Sequence, residues 1–144
     1  MPAPATAAPH VQRIVRYFET LTPASLASIG DVYTADAHFS DPFNDVRGLD
    51  AVRHVYQRMF DTLAEPRFEV TEVLAADTRC LLVWDFHFRR ANGEPWRIHG
   101  SSLMHLAADG RIRAHRDYWD AASQVYERVP VLGGLLRLLK RRLA

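Results

Sequence analysis

The stretch YTADAHFSDPF, residues 33–43, lies where helical patterning of apolar residues gives way to strands. It places one carboxylate, Asp41, beside Pro42 and between Phe39 and Phe43. A carboxylate in apolar surroundings is costly to keep charged, so its proton affinity rises and it becomes a useful general base. The alternative is purely local, because Asp-Pro also marks turns. The stretch alone leaves both interpretations open.

Two helices are predicted before this stretch. Apolar residues at helical spacing indicate an amphipathic helix over residues 10–21, with one face formed by Val11, Ile14, Val15, Phe18 and Leu21. Thr22 and Pro23 then form a helix start, with Thr22 as the cap and Pro23 at the first helical position. The inner face of this second, shorter helix is predicted to consist of Leu26, Ile29 and Tyr33.

A third helix and a set of strands are predicted after the stretch. Residues 44–48 form a polar loop, and helical spacing over residues 49–63 predicts a helix that Pro66 ends. The apolar period then changes to two, which predicts strands at residues 68–73, 80–89, 96–107 and 111–120. Asn92-Gly93 marks one of the hairpin turns. Three helices followed by an antiparallel meander indicate an α+β domain.

The composition limits the classes of function. A chain of 144 residues with 48% hydrophobic content can form one domain with its own core. Its net charge of +1 gives no field for steering onto nucleic acid, so no nucleic-acid partner is predicted. Cys80 is the single cysteine, which excludes an internal disulfide and a multi-cysteine metal site. Paired histidine spacings are missing, so we expect neither a metal nor another cofactor.

The start of the chain is rich in alanine and proline, without a charged beginning or an apolar run. Residues 1–10 are therefore predicted to be a disordered arm, not a signal peptide. The sequence contains no stretch of the roughly 18 consecutive apolar residues that a transmembrane helix needs. Together with the single cysteine, which suits a reducing compartment, this pattern predicts a cytoplasmic protein.

Residues 129–144 are predicted to form a basic amphipathic C-terminal helix. One side carries leucines, namely Leu132, Leu135, Leu136, Leu139 and Leu143. Arg137, Lys140, Arg141 and Arg142 bring four positive charges without an acid. Such a helix more often covers its own sheet or a partner subunit, and the alternative is that it lies on an anionic membrane surface.

Between these ends, residues 11–128 resemble the nuclear-transport-factor-2-like superfamily, which includes SnoaL-like and ketosteroid isomerase-like proteins. The resemblance rests on the helices, the Asp41-Pro42 turn and the meander. It implies a cone-shaped domain in which three N-terminal helices pack on a strongly bent, mostly antiparallel sheet around an apolar pocket. It also implies a homodimer through the outer face of the sheet. Isomerases, polyketide cyclases, epoxide hydrolases and binding modules share this fold, so the fold does not choose a function.

The front of the chain is similar to ketosteroid isomerases. The motif QR leads to Tyr17, and the motif ADA leads to SDP, which contains Asp41, without a gap. The resemblance implies that Asp41 is a general base that moves a proton alpha to a carbonyl. It also implies that Tyr17 donates a hydrogen bond to the developing enolate oxygen. Met104 stands where the isomerases have their second oxyanion donor, an aspartic acid.

The motif HRDYWD, residues 115–120, resembles the last strand of limonene epoxide hydrolases. SnoaL-type cyclases use an acid on the same strand, and Asp117 takes that position here. The hydrolases also need an Arg and an Asp on an earlier strand, where this chain has Trp84 and Phe86. Water addition to an epoxide is therefore the weaker enzymatic alternative. The structural alternative for Asp117 is an ion pair with Arg116 or Arg113.

These resemblances predict one pocket with four candidate catalytic residues, Asp41, Tyr17, Asp117 and His115. Its walls would be formed by Phe39, Trp84, Phe86, Ser102, Met104 and Trp119. We expect it to bind a small apolar carbonyl compound of steroid, polyketide or terpenoid type. Proton transfer of the isomerase or cyclase type is the predicted chemistry. The alternatives are a ligand-binding module without catalysis and a small interaction protein.

Overall fold

The computed structural model describes residues 7–144, and its helices come from the segments with helical periodicity. Helix α1 spans Pro9–Glu19 and α2 spans Leu49–Thr62, with a 3₁₀ helix at Ala24–Asp31 between them. These three correspond to the predicted helices. Residues 1–6 of the predicted arm lie outside the described chain, and the arm's last two residues belong to α1.

Within residues 7–144, six strands form one mixed sheet. They are β1 Tyr33–Ser40, β2 Asp45–Arg47, β3 Ala64–Ala75, β4 Arg79–Arg89, β5 Pro95–Leu106 and β6 Ile112–Tyr118. Their order is β2-β1-β6-β5-β4-β3, so β2 and β3 are the edges of a curled, unclosed sheet. Only the β1–β6 pair is parallel within the described chain. The α+β class and the mostly antiparallel sheet are thus confirmed.

The predictions for residues 33–48 were wrong about local structure. Tyr33 begins β1 and does not belong to the second helix, and the predicted loop contains β2. The mixed composition of β1 does not favour a strand by itself. Because β1 lies between β2 and β6, pairing on both sides fixes its extended conformation. The three helices are accordingly interrupted by two strands before α2.

Pro66 lies inside β3 and does not end the preceding helix, which stops at Thr62. A proline cannot donate to a strand ladder, and it is tolerated here because β3 is an edge strand that pairs only with β4. The prediction of a helix end in this region was right, but its cause was not the proline.

The core lies on the concave side of the sheet, beneath the two long helices. On β4, the alternating residues Cys80, Leu82, Trp84, Phe86 and Phe88 are all buried, as the period of two predicts. Helix α1 packs against β3, and α2 packs against β1 and the 3₁₀ helix. The helices cover only part of this face, and the remaining part forms a cavity.

The chain ends in helical segments that follow β6. A short helix α3 spans Ala121–Gln124, a 3₁₀ turn spans Tyr126–Arg128, and helix α4 spans Leu132–Leu143. The C-terminal helix is therefore present where the leucine pattern predicts it. Within residues 7–144 it packs mainly against the 3₁₀ turn, so it does not cover its own sheet. No helix within residues 7–144 is long and apolar enough to cross a bilayer.

Candidate functional site

A cavity of about 560 Å³ opens between α2 and the inner face of the sheet. This volume lies in the usual range for small-ligand sites. The cavity is mostly apolar, and the charged side chains in its described lining are Asp41, Arg58 and Asp117. Its aromatic walls include Phe39, Phe43, Tyr56, Phe68, Trp84, Phe86, Phe88, Trp96 and Trp119.

Four of the six predicted wall residues, Phe39, Trp84, Phe86 and Trp119, line this cavity. The other two, Ser102 and Met104, line a second void of about 20 Å³. Both spaces share Asp117 and Trp84 in their walls, so the small void lies next to the large cavity. A void of this size holds about one water molecule.

Asp117 is held in place by neighbours on the inner face of the sheet. Strand register sets Ser102 directly opposite Asp117, and the Ser102 hydroxyl donates to Asp117 Oδ1 over 2.5 Å. The indole N–H of Trp84 donates in turn to Ser102 Oγ over 2.8 Å. These two bonds fix the carboxylate between the aromatic wall and the last strand.

His115 is the second support of Asp117. Its ring is buried, with Nε2 at 2.6 Å from Asp117 Oδ1 and Nδ1 at 2.6 Å from the Tyr33 hydroxyl. The Tyr33 hydroxyl lies 2.8 Å from that of Tyr56. An ionised carboxylate only accepts hydrogen bonds, so a neutral His115 ring carries its proton on Nε2 and accepts from Tyr33 at Nδ1. Tyr56 then donates to Tyr33.

Burial determines the protonation of the two phenols. It raises the pKa of both Tyr33 and Tyr56 well above the usual value of 10.0. Both hydroxyls therefore stay protonated and can donate at neutral pH. The result is a hydrogen-bonded chain from Tyr56 through Tyr33 and His115 to Asp117, and we call it the tyrosine relay.

One oxygen of Asp117 remains available to a ligand. Both of its hydrogen bonds go to Oδ1, and no donor within residues 7–144 bonds to Oδ2. The side chain is 16% exposed, and it lines the large cavity. The alternative ion pair with Arg116 or Arg113 is not formed in the described chain, and Arg116 stacks on Tyr118 instead. Asp117 thus offers one anchored and one open oxygen.

Asp41 lies at the cavity lining but is engaged in a turn. Its Oδ1 accepts from the backbone N–H of Phe43 at 2.8 Å and of Asn44 at 2.7 Å. The Asn44 side-chain amide also donates to both carboxylate oxygens. These bonds form an Asx turn, which corresponds to the local interpretation of Asp-Pro.

Tyr17 is not brought to the cavity. Its hydroxyl donates to the carbonyl of Ser25 over 2.8 Å, and its side chain is not in the described cavity lining. Burial raises the pKa of Tyr17 to about 12. The expected meeting of Tyr17 with Asp41 does not occur, because the neighbouring Phe18 is the α1 residue that faces the small void.

The sequence interpretation missed the functional placement of Tyr33 and Tyr56. Tyr33 and His115 are 82 residues apart in the sequence, so no local spacing could connect them. The only signal is chemical, since a buried phenol usually needs a hydrogen-bond partner. That rule indicates that a partner exists without naming it.

Potential metal ligands gather on the outer face of the sheet. Glu69, Asp85 and His87 hold their ligand atoms within 4.8 Å of one another. His87 Nε2 already lies 3.0 Å from Glu69, and Asp85 accepts from His99 at 2.7 Å. These polar groups therefore satisfy one another, away from the cavity.

The sequence matches one family model, and the fold matches several solved structures. The model of the SnoaL-like domain matches residues 14–115. No curated protein sequence matches the chain. An NTF2-like protein of unknown function from Burkholderia pseudomallei superposes with a TM-score of 0.72 at 16% identity, covering 83% of this chain and 96% of that one. A putative SnoaL-like polyketide cyclase from Jannaschia sp. CCS1 gives 0.70 at 15% identity, covering 81% and 92%. The chain therefore belongs to the SnoaL-like domain family.

Proposed function

We propose that the chain binds a small apolar carbonyl compound of steroid, polyketide or terpenoid type and catalyses proton transfer on it. The supporting observation is the carboxylate of Asp117, which lines an aromatic cavity and accepts both of its hydrogen bonds within residues 7–144 at Oδ1, leaving Oδ2 without a donor. Isomerisation or cyclisation would both use such a group. A polyketide cyclase name among the structural neighbours is consistent with this class of substrate.

The reaction would begin when Asp117 Oδ2 removes a proton alpha to the substrate carbonyl. The electrons of the broken C–H bond move to the carbonyl oxygen and form an enolate, and Asp117 then returns the proton to another carbon. Arg58 is the cation in the described lining and would stabilise the negative oxygen. No step requires a cofactor.

The tyrosine relay would position the base. His115 and Ser102 both donate to Asp117 Oδ1, so Oδ2 is the more basic oxygen and its direction is fixed. This arrangement supports Asp117 as the proposed base. Asp41 keeps a place in the cavity lining, and Tyr17 has no part in the chemistry.

A binding module without catalysis is the second candidate function. The continuous aromatic lining supports it, because apolar walls of this kind retain a ligand whether or not a reaction follows. Epoxide hydrolysis is less well supported, since Trp84 and Phe86 offer no acid or cation for activating water.

We also propose that the protein forms a homodimer through the outer face of the sheet, where Leu81 pairs with Leu103. We further propose that the protein is cytoplasmic.

The deciding experiment follows deuterium exchange from D₂O into a β,γ-unsaturated steroid ketone and a polyketide-type β-diketone by NMR. We expect exchange with the wild type, loss of at least about 100-fold with Asp117→Asn, and retention with Asp41→Asn. Ligand affinity should survive both changes. Tight binding without exchange would assign the binding module, and equal rates in Asp117→Asn and wild type would exclude Asp117 as the base.

A further inference from the structure

Helix α4 exposes an apolar side. Its leucines Leu132, Leu135, Leu136, Leu139 and Leu143 follow helical spacing, and we call them the leucine face. Leu135 is 61% exposed, Leu139 is 51% exposed and Leu143 is 79% exposed. A row of exposed leucines is unusual on a monomeric surface and marks a site of interaction.

A neighbouring side of α4 attaches the helix to the body. Gly133 is buried and lies so close to the Glu127 carbonyl that a Cβ would come within 2.0 Å of it. Arg137 donates to the same carbonyl over 2.9 Å, and Lys140 forms an ion pair with the Glu127 carboxylate at 3.0 Å. These contacts hold α4 by its polar side and leave Leu135, Leu139 and Leu143 of the leucine face exposed.

The approach to α4 is a sharp turn. Val131 has φ of 71° and ψ of −59°, and the N–H of Leu132 donates to the Pro130 carbonyl over 2.8 Å. This is a γ-turn with positive φ, which is rare and strained for a β-branched residue. Such a turn changes the direction of the chain sharply between the preceding segment and α4.

Charge on α4 indicates what covers the leucine face. Arg137, Lys140, Arg141 and Arg142 lie within two turns, and residues 129–144 contain no acid, whereas the rest of the chain carries a net charge of −3. Arg137 and Lys140 contact Glu127, so the exposed Arg141 and Arg142 are the cations that would meet a charged surface. A helix with a leucine side and a basic side matches an anionic lipid surface, where leucines enter the acyl boundary and cations meet the headgroups. We propose that α4 docks the protein on an anionic membrane surface.

The cavity lining comes close to the segment on which this helix packs. Val125 belongs to the cavity lining, and the ring of Tyr126 packs 6.0 Å from that of Phe43, another lining residue. Phe43 in turn packs 5.5 Å from Trp119. Docking of α4 would therefore bring an aromatic rim to the bilayer interface, which Trp and Tyr favour. An apolar ligand could then enter from the membrane, a consequence that rests on the proposed function, whereas docking itself does not.

The test is co-sedimentation of the full chain with vesicles of phosphatidylglycerol and phosphatidylcholine, compared with phosphatidylcholine alone. We expect binding only to the anionic vesicles and at least about tenfold weaker binding for Arg141→Glu/Arg142→Glu. The matched control, Arg13→Glu/Arg16→Glu on the exposed side of α1, makes the same change in net charge and should bind as the wild type does.

A second measurement tests the leucine face. Leu135→Glu/Leu139→Glu should reduce binding to the anionic vesicles to a similar extent, and brominated acyl chains should quench tryptophan fluorescence in the wild type. No sedimentation of the wild type, or equal loss in the α1 control, would overturn the proposal. A dimer in light scattering that Leu135→Glu/Leu139→Glu dissociates, without vesicle binding, would assign the leucine face to a second copy. Vesicle docking without turnover would leave the docking proposal intact and remove the proposed reaction.

Discussion

The imidazole of His115 lies parallel to the phenol of Tyr33, with 4° between the ring planes and 2.6 Å between Nδ1 and the hydroxyl. The two residues come from β6 and β1, the parallel pair of the sheet. A register irregularity between Tyr33 and His38 interrupts this pairing. The contact matters because it gives His115 Nδ1 a donor while Nε2 carries the proton that is shared with Asp117.

Tyr33→Phe should remove both hydrogen bonds of the Tyr33 hydroxyl, to His115 and to Tyr56. The change leaves His115 Nδ1 without its donor and Tyr56 without its acceptor, so we expect a loss of about 1–3 kcal/mol in the free energy of unfolding. ¹⁵N chemical shifts of His115 should change from a pure Nε2–H form to a mixture of tautomers. Urea unfolding and NMR measure the two effects.

The control for this prediction is Tyr56→Phe. It removes the bond that Tyr56 donates but keeps the bond from Tyr33 to His115, so we expect about 1 kcal/mol or less and unchanged His115 shifts. Identical shift changes in both variants would contradict the direction that we assign to the tyrosine relay.

The parts of the fold that follow local patterning could be predicted from the sequence. Strand β4 is an example, because every second residue from Cys80 to Phe88 faces the core. Strand β1 could not be predicted in this way, since its conformation depends on partners from β2 and β6. A helical interpretation of Tyr33 was reasonable locally and failed because non-local pairing overrides weak propensity.

The residues of the candidate site also differ in how far the sequence could predict their positions. The resemblances predicted His115, Asp117 and Trp119 in one pocket, and the structure brings Asp117 and Trp119 to the cavity with His115 behind them. Asp41 was recognised, but its hydrogen bonds are those of a local turn. Which side chain of α1 faces the interior depends on the rotation of the helix about its axis. Phe18, the next residue, takes the inward position that was predicted for Tyr17.

Asp41→Ala should destabilise the turn after β1. The variant removes the acceptor of the Phe43 and Asn44 N–H groups, and we expect a loss of about 1–3 kcal/mol in the free energy of unfolding. Asp41→Asn keeps one acceptor oxygen and should cost less than about 1 kcal/mol. Thermal and urea unfolding compare the two variants, and equal losses would show that the charge of Asp41, not its acceptor, supports the turn.

Tyr17 should contribute to a loss of stability in alkali. Burial raises the pKa of Tyr17 from 10.0 to about 12 in the folded chain, so between these values the unfolded chain releases a proton that the folded chain retains. The free energy of unfolding must therefore fall as the pH rises from 10 to 12. Tyr17→Phe should make the fall shallower in pH-dependent urea unfolding.

The control for the alkaline prediction is Tyr118→Phe, which removes a half-exposed phenol and should leave the slope unchanged. The slope does not vanish in Tyr17→Phe, because burial also raises the pKa of Tyr33 and Tyr56. Parallel curves for wild type and Tyr17→Phe would mean that Tyr17 is solvated in the folded chain. Turnover at neutral pH should be unaffected by the change.

Gly100→Ala should damage the wall of the cavity. A Cβ at this position would lie 2.6 Å from the Trp84 ring and 2.9 Å from the Trp119 Cβ. The Trp84 ring would have to move and lose its bond to Ser102, which holds Asp117. We expect the free energy of unfolding to fall by about 1–3 kcal/mol and the apolar probe 8-anilinonaphthalene-1-sulfonate to bind more weakly. Gly134→Ala on α4, where a Cβ meets nothing within 4 Å, should stabilise the helix and leave probe binding unchanged. Equal probe binding in both variants would show that Trp84 does not shape the cavity.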